Sequence, residues 1–200
     1  MLPERIRKFI DIFSALPSIG PRQATRLAFY LLRLGKNQIL ELSRAIQDLV
    51  NITTCKFCFL PFESNNNELL CHICLNNKRK QDVIAIVEKE TDLVSIEKAN
   101  KFDGRYLILG ELDKTGILNT EQKLKLKNFK GHIEKKFKKA EEIIIALNPT
   151  TVGDMESALL IQELSPFAEK ITRLGRGLPT GGEIEFADED TLSGAIENRR

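Results

Sequence analysis

The amino-acid composition does not by itself indicate a function. Its 30 basic and 28 acidic residues leave a net charge of only +2, so only the distribution of charge could indicate nucleic-acid binding. No apolar run approaches the length needed to cross a bilayer, and residues 1–5 are charged and proline-bearing, which argues against a secretory leader. Low-complexity segments and clear internal repeats are also missing. We therefore expect a soluble, cytoplasmic protein with one large domain or a few small ones.

Cysteine is confined to two Cys-x-x-Cys pairs, Cys55 with Cys58 and Cys71 with Cys74. Each pair can present two thiolates on a tight turn, so the four together predict a tetrahedral sulfur site for one Zn²⁺ per chain. A closed site of this kind has no open position for water, and the zinc is therefore expected to be structural. The alternative is disulfide pairing, which would require an oxidising compartment.

The segment between the two pairs has turn-forming composition. Pro61 and the run Ser-Asn-Asn-Asn at 64–67 predict a small hairpin or loop. His72 lies inside the second pair and could replace a thiolate, but four cysteines already complete the site, so we expect it to be a bystander.

Residues 1–52 have the periodicity of helices. Apolar residues recur at three- and four-residue spacing in three sets: Ile6, Phe9, Ile10 and Phe13; Ala24, Leu27, Ala28 and Leu31; and Ile39, Leu42, Ile46 and Leu49. The first two sets are separated by residues 16–21. There, Gly20 tolerates a positive φ and Pro21 suits the first position of a helix.

This break has the features of a phosphate-binding hairpin. A glycine turn that leads into a helix offers unpaired N–H groups and the positive end of the helix dipole, and Arg22 and Arg26 would share a face just beyond Gly20. The pattern predicts a helix-hairpin-helix element that binds a nucleic-acid backbone without reading bases. An ordinary helical hairpin with solvated arginines has the same spacing and remains the alternative.

The rest of the chain alternates strand and helix patterns. Short continuous apolar runs, typical of strands buried on both faces, lie at 83–87, 106–109 and 143–147, with a weaker run at 171–174. Helical patterns lie between them at 92–99, 121–138 and 154–164. This order predicts a mostly parallel sheet covered by helices on both faces. The many lysines of 123–139 fall all round their helix, which favours a solvated outer helix over a nucleic-acid or protein contact.

Three acids follow predicted strands. Glu88 ends the first strand, and Asp154 and Glu156 follow the third. At the carboxyl edge of a parallel sheet they could hold Mg²⁺, so a Mg²⁺-dependent nuclease or topoisomerase-like enzyme is the rival prediction. However, no Asp-x-Asp pair follows a strand, and Asn148 stands where a first metal-binding carboxylate is wanted. Local pairing or a place at a helix N-terminus is the alternative role for these acids.

The C-terminal part is rich in glycine and then in acids. Residues 173–182 contain four glycines and a proline, residues 183–190 alternate acidic and apolar, and a last helix begins near residue 191. The glycines match neither a P-loop nor a dinucleotide-binding pattern. We therefore expect turns around an edge strand.

Taken in order, these parts resemble the bacterial recombination mediator RecR family over essentially the whole chain. The motifs that carry the resemblance are LPSIGPRQATRLAF at 16–29, the four cysteines, Val87-Glu88, Gly104-Arg105-Tyr106, Asn148-Pro149-Thr150, and 173–188 with its GLPTGGEIEFAD stretch. The resemblance implies an α/β protein of four parts: a helix-hairpin-helix domain (1–52), a four-cysteine zinc finger (53–79), a Toprim-like, mostly parallel α/β domain (80–172), and a C-terminal Walker B-like segment with an assembly helix (173–200).

The resemblance also implies a function. Members of this family form tetrameric ring clamps around DNA, so self-association to a dimer or a tetrameric ring is expected. They act with RecO, and in many bacteria RecF, to load RecA on single strands coated by single-strand binding protein. Their Toprim domain lacks the acids for strand cleavage, so no enzyme activity is expected. By the same resemblance, the four cysteines bind zinc, Gly20, Arg22 and Arg26 face DNA, and Glu88 and Asp154 lie on the Toprim face that meets RecO.

Two segments depart from the family pattern. After Asn148-Pro149-Thr150 the family usually shows Val-Glu-Gly-Glu-Ala-Thr, whereas residues 151–156 read Thr-Val-Gly-Asp-Met-Glu. Residues 112–117 replace a longer glycine-rich loop. Both changes fall on the Toprim face, so the resemblance leaves open how partners bind there.

Overall fold

The computed structural model describes residues 2–64, 68–112 and 116–199, and its internal contacts divide the chain into two units, Met1–Ile52 and Thr53–Arg200. Most of the predicted turn at 64–67 and the centre of the altered segment at 112–117 lie outside these described residues. Across the described part, every helix is too short or too polar to span a membrane.

The first unit is built from the three predicted helices. They are α1 (Glu4–Ser14), α2 (Pro21–Leu34) and α3 (Lys36–Asp48), followed by a short 3-10 turn at Leu49–Asn51. Ala24 and Ala28 are buried on α2, because small side chains let α1 and α2 pack closely. The apolar face predicted for α3 is not buried: Leu42, Ile46 and Leu49 are 45–67% exposed. The periodicity therefore identified this helix correctly, although these apolar side chains are largely exposed within the described residues.

The second unit begins with the cysteine segment. Strands β1 (Ile52–Thr54) and β2 (Pro61–Glu63) form a two-stranded sheet, and the single-turn helix α4 (His72–Leu75) follows. Strand β2 lies in the insert that was predicted to form a hairpin or loop. These short elements bring the two cysteine pairs to one place.

The core of the second unit is a four-stranded, fully parallel sheet. Its strands are β3 (Val83–Val87), β4 (Arg105–Ile108), β5 (Ala140–Ala146) and β6 (Ala168–Arg173), in the order β4-β3-β5-β6. Every residue of β3 is buried, as expected for a central strand with helices on both faces. Gly104 precedes β4, where a Cβ atom would collide with the carbonyl oxygen of Val83, so only glycine fits this approach.

Strand β5 begins earlier than its apolar run predicts. Ala140 and Glu142 pair with Ala168 and Lys170 of the edge strand β6, which extends the ladder by three residues into a polar stretch. The apolar pattern marked only the part of β5 that lies beneath the helices. Pairing with a neighbouring strand defined the rest.

Three helices connect these strands. They are α5 (Glu90–Ala99), α6 (Thr120–Lys136) and α7 (Thr151–Leu164). Helix α6 begins with a reciprocal capping box, in which Asn119 accepts from the Gln122 amide and the Gln122 side chain accepts from the Asn119 amide. Its lysines surround a buried stripe of Leu126, Phe129 and Ile133, consistent with an outer helix.

The C-terminal segment does not contain the expected edge strand. A 3-10 turn at Ile184–Phe186 is followed by α8 (Glu189–Glu197), and no strand follows β6 within the described residues. Asp188 caps α8 by accepting from the Thr191 amide at 2.8 Å, and the Thr191 hydroxyl donates to the same carboxylate. The alternation of acidic and apolar residues therefore reflects a helix start, not a strand.

Candidate functional site

The four cysteines form one buried cluster. Their sulfur atoms all lie within 4.8 Å of one another, and the side chains are at most 1% exposed. A tetrahedral zinc site with Zn–S bonds of about 2.3 Å would place the sulfurs about 3.8 Å apart, so the donor set and its size fit Zn²⁺. The Cys58 and Cys71 sulfurs are 3.5 Å apart, well beyond the disulfide bond length of about 2.0 Å, and all four cysteines are free. This geometry favours the metal site over the disulfide alternative.

Each cysteine pair is shaped by its backbone. In the first pair, the Phe59 amide donates to the Cys55 carbonyl at 3.1 Å and Phe59 takes a φ of 65°, which closes a tight turn. In the second, the Leu75 amide donates to the Cys71 carbonyl at 3.0 Å within α4. The Cys71 amide also donates to the Cys55 sulfur at 3.4 Å. His72 is exposed and lies outside the cluster.

Hydrogen bonds within the cluster favour negative charge on the Cys55 sulfur. Hydrogen bonds from Cys58, Cys71 and Cys74 hold the pKa of the Cys55 thiol far below its ordinary value, and hydrogen bonds to the other three raise the pKa of the Cys74 thiol. The thiols thus share protons around a preferred thiolate. A bound dication would take over that role and stabilise all four thiolates.

The cysteine segment is tied to the edge of the parallel sheet. The Ile108 amide of β4 donates to the Cys58 carbonyl at 3.0 Å, and Arg105 donates to the Cys74 carbonyl at 2.9 Å. Both cysteine pairs are therefore attached to the same strand. Loss of the metal would therefore disturb the edge of the sheet as well as the two cysteine pairs.

The predicted hairpin forms in the first unit. Ser18 adopts a left-handed φ of 62°, the chain turns, and Gly20 becomes the N-cap of α2 with Pro21 at the first helical position. No side chain caps this helix start. Because the first amides of a helix have no partner within it, the N–H groups that follow Gly20 are available to an anion.

Arg22 and Arg26 lie one helical turn apart just beyond this start. Both are exposed, and neither forms an ion pair with an acid anywhere in the part of the chain that the structure describes. Arg26 also lines a shallow concavity with Ile19 and Tyr30. The hairpin thus presents backbone amides and two uncompensated cations on one element.

Glu88 lies at the carboxyl end of β3, as predicted. The residue is 8% exposed, and its carboxylate accepts from the Asn148 side-chain amide at 2.9 Å and, through the other oxygen, from the Leu112 N–H at 3.4 Å. Lys89 lies 3.6 Å from the same carboxylate. The acid is therefore held by donors of the protein, with Pro149 and Thr150 lining the cleft beside it.

Asp154 is engaged elsewhere. It lies in the first turn of α7, where it pairs with Arg173 and with Arg176, the latter at 2.6 Å. The hydrogen bonds from Arg173 and then Arg176 hold the pKa of Asp154 below its ordinary value. Glu156, by contrast, is fully buried in α7. The sequence did not indicate the pairing with Arg173 and Arg176, because both arginines belong to a segment marked only by its glycines.

The three acids do not form the metal site of the rival enzyme prediction. Within residues 2–64, 68–112 and 116–199, the cysteines are the one group of three or more potential ligands close enough to share an ion. Glu88 is bound to an amide, Asp154 is bound to arginines, and Glu156 is buried. Of the alternatives for these acids, pairing with protein donors describes Glu88, and Asp154 has the expected place in the first turn of a helix.

Family models match most of the chain in three consecutive blocks. A RecR helix-hairpin-helix model matches residues 6–50, a Toprim model matches residues 82–175, and a RecR C-terminal model matches residues 177–200. The hairpin, the parallel sheet and the C-terminal helix described above fall within these blocks.

Curated relatives match over almost their full length. A protein from Dehalococcoides mccartyi is 39% identical over 198 residues, which are 98% of this chain and 93% of the relative. Proteins from Herpetosiphon aurantiacus and Chloroflexus aurantiacus are each 37% identical and cover 99% and 98% of this chain, and 95% and 93% of their own. All three are named recombination protein RecR. The fold, the cysteine cluster and these relatives together show that the chain belongs to the RecR family of recombination proteins, which act in DNA repair.

Proposed function

We propose that this chain is a non-enzymatic mediator of recombinational DNA repair that holds DNA independently of sequence as a multimeric clamp. The observation that carries the proposal is the hairpin of Gly20, Arg22 and Arg26, whose free amides and unpaired guanidinium groups suit backbone phosphates. Contacts of this kind position DNA without reading bases. Such binding weakens steeply as salt rises.

A clamp requires several copies, and the chain exposes apolar surface that a second copy could cover. In the first unit, Leu49 and Val50 are 67% and 85% exposed. In the second, Ile184 and Phe186 of the 3-10 turn are 68% and 78% exposed. Two such surfaces on one subunit are what a closed ring needs, either as a dimer or as a tetramer. Because one hairpin supplies few cations, avidity from the ring provides most of the affinity.

The partners in this proposal follow the family. The clamp acts with RecO, and with RecF where the organism has it, to load RecA on single strands coated by single-strand binding protein. Glu88 and Asp154 belong to the Toprim face that meets RecO. A role on DNA places the protein in the cytoplasm, where reduced thiols persist.

The metal in this proposal is one structural Zn²⁺ per chain at Cys55, Cys58, Cys71 and Cys74. It stabilises the segment between the helical and sheet regions and takes no part in chemistry, because four thiolates fill its coordination shell. The chain then comprises four functional parts: the DNA-binding helices (1–52), the zinc finger (53–79), the Toprim-like domain (80–172) and the assembly segment (173–200).

The proposal is tested by DNA binding and DNA integrity in one preparation. Zinc-loaded protein should bind two oligonucleotides of unrelated sequence with similar affinity at low salt, and light scattering should show a multimer. Supercoiled plasmid incubated with the protein and Mg²⁺ should stay intact. A solitary subunit that does not retard DNA would contradict the clamp. Nicking or relaxation that disappears in Glu88→Gln would establish the Toprim enzyme instead.

A further inference from the structure

A basic pocket lies beside the cysteine cluster, within the second unit. Its basic lining consists of Lys56, Arg105, His132 and Lys136, and its walls include Phe57 and Phe129. The cavity measures about 270 Å³, below the roughly 300 Å³ at which typical small-molecule sites begin. Its size suits a single small anionic group.

Arg105 is the buried part of this lining. Arg105 is the first residue of β4 and is only 4% exposed. One terminal nitrogen donates to the Cys74 carbonyl at 2.9 Å, while the buried Nε has no hydrogen-bond partner among the residues that the structure describes. A guanidinium N–H that is removed from water and left unpaired costs free energy. This donor therefore indicates a ligand.

His132 presents a second unused group. Its Nε2 atom is buried without a hydrogen-bond partner in the described part of the chain, and its ring packs against Phe57 with 4.6 Å between centroids. The Arg105 guanidinium lies 5.4 Å from the centre of the same phenyl ring. Arg105 and His132 thus both pack against Phe57. Each still has a buried nitrogen, Nε of Arg105 and Nε2 of His132, that could form a hydrogen bond with a ligand.

The positive charge of the pocket is not balanced by acids. None of Lys56, Arg105 and Lys136 forms an ion pair in the described part of the chain, and Lys136 donates only to the neutral Gln81 side chain. The groups repel one another: burial, Lys136 and Arg105 lower the pKa of His132, and burial and Arg105 lower the pKa of Lys136. An anion would relieve this repulsion.

We propose that this pocket binds one phosphate group of a nucleic-acid backbone. A phosphate offers several acceptor oxygens at once, which matches a guanidinium, an imidazole and two ammonium groups better than a single carboxylate does. The inference rests on the proposed DNA-binding function and adds a phosphate contact in the second unit to the hairpin contact in the first.

The chain contains only two histidines, so the ring signals of His132 can be followed by NMR with exposed His72 as an internal reference. Zinc-loaded, histidine-labelled protein in phosphate-free buffer is titrated with inorganic phosphate and then with oligothymidylate. We expect a saturable shift at His132 with both probes and none at His72. A role for Arg105 limited to balancing the charge of the zinc thiolates predicts no shift at His132, and that result would overturn the inference.

Lys56 and Lys136 form the exposed rim of the pocket, and changing them leaves the buried Arg105 undisturbed. Lys56→Gln with Lys136→Gln should weaken the phosphate response at least about tenfold, because charge-assisted hydrogen bonds are lost. The double variant should also lower the salt slope for single-stranded DNA by about 0.7 for each engaged subunit. The matched control is Lys135→Gln with Lys139→Gln, which removes the same charge from exposed positions outside the pocket and should change neither value.

The outcomes separate this inference from the proposed function. If the protein binds DNA but oligothymidylate leaves His132 unmoved, the pocket inference fails and the clamp stands. If His132 responds to phosphate but the protein binds no DNA, both the clamp and the nucleic-acid assignment fail. A response to polyglutamate but not to oligothymidylate would assign the pocket to an acidic protein and overturn the inference. Equal effects of the rim variant and its control would do the same.

Discussion

The hairpin makes the most quantitative prediction about this protein. Arg22 and Arg26 are exposed and unpaired, so both charges are free to neutralise phosphates. For each phosphate contact removed, the slope of log affinity against log salt falls by about 0.9 on duplex DNA and about 0.7 on single strands. Changing both arginines to alanine should therefore flatten the slope by about 1.8 or about 1.4 for each engaged subunit.

This change corresponds to a measurable difference in affinity. Between about 50 and about 200 mM salt, the wild type should lose roughly 12-fold more duplex affinity than the double variant, or roughly 7-fold more on single strands, for each engaged subunit. Fluorescence anisotropy at four or five salt concentrations measures both slopes. A ring that engages several hairpins would multiply the effect, so the size of the change also reports how many subunits contact DNA.

The control must remove equal charge without touching the hairpin. Lys36 and Arg44 are exposed on α3, and changing both to alanine should leave the slope unaltered. Because all four side chains are exposed, each double variant should keep its free energy of unfolding within about 0.5 kcal/mol per substitution. If the hairpin variant has the wild-type slope, or if the α3 variant flattens it equally, the reasoning from the hairpin is wrong.

Three further predictions concern the second unit. Elemental analysis should find about one zinc per chain, and Cys74→Ser should reduce both metal content and melting temperature; normal values for either would argue against a structural metal. Asp154→Asn should change global stability by less than about 1 kcal/mol because its ion pairs with Arg173 and Arg176 are partly exposed, yet limited proteolysis after residue 174 should become faster. Burial lowers the pKa of His132, so the unfolded state binds more protons near its ordinary value of about 6.5. The free energy of unfolding should consequently rise with pH through the window just below that value. Denaturant titrations should show a weaker rise in His132→Gln, and an unchanged profile would remove His132 as the cause.

Much of the fold was predictable because local patterns and burial agree. The continuous apolar runs mark β3 and β4 to within one residue, since both of these strands are buried on both faces. Periodicity likewise located the three N-terminal helices. The cysteine cluster was predictable from spacing alone, because two Cys-x-x-Cys pairs on tight turns are the usual ligands of a tetrahedral metal site.

The remaining features depend on contacts between distant residues, which no local pattern records. The start of β5 is set by its pairing with β6, and the pairing of Asp154 joins α7 to a segment 19 and 22 residues away. The alternation of acidic and apolar residues at 183–190 is typical of a strand, but the Asp188 carboxylate caps α8 instead. The basic pocket is assembled from Lys56, Arg105 and α6, and its unpaired atoms become visible only when these positions meet.

The environment of Glu88 bears on the proposal that this protein does not cleave DNA. A metal-dependent site at this edge needs a second carboxylate opposite Glu88, and position 148 would supply it. Asparagine at that position donates its amide to the Glu88 carboxylate at 2.9 Å, so the two side chains satisfy each other where two carboxylates would repel and require a cation. The Leu112 amide fixes the other oxygen of the same carboxylate. The Glu88 carboxylate is therefore buried and held by donors of the protein, with Lys89 3.6 Å away, so it needs no ion there; this supports the proposed role without cleavage of DNA.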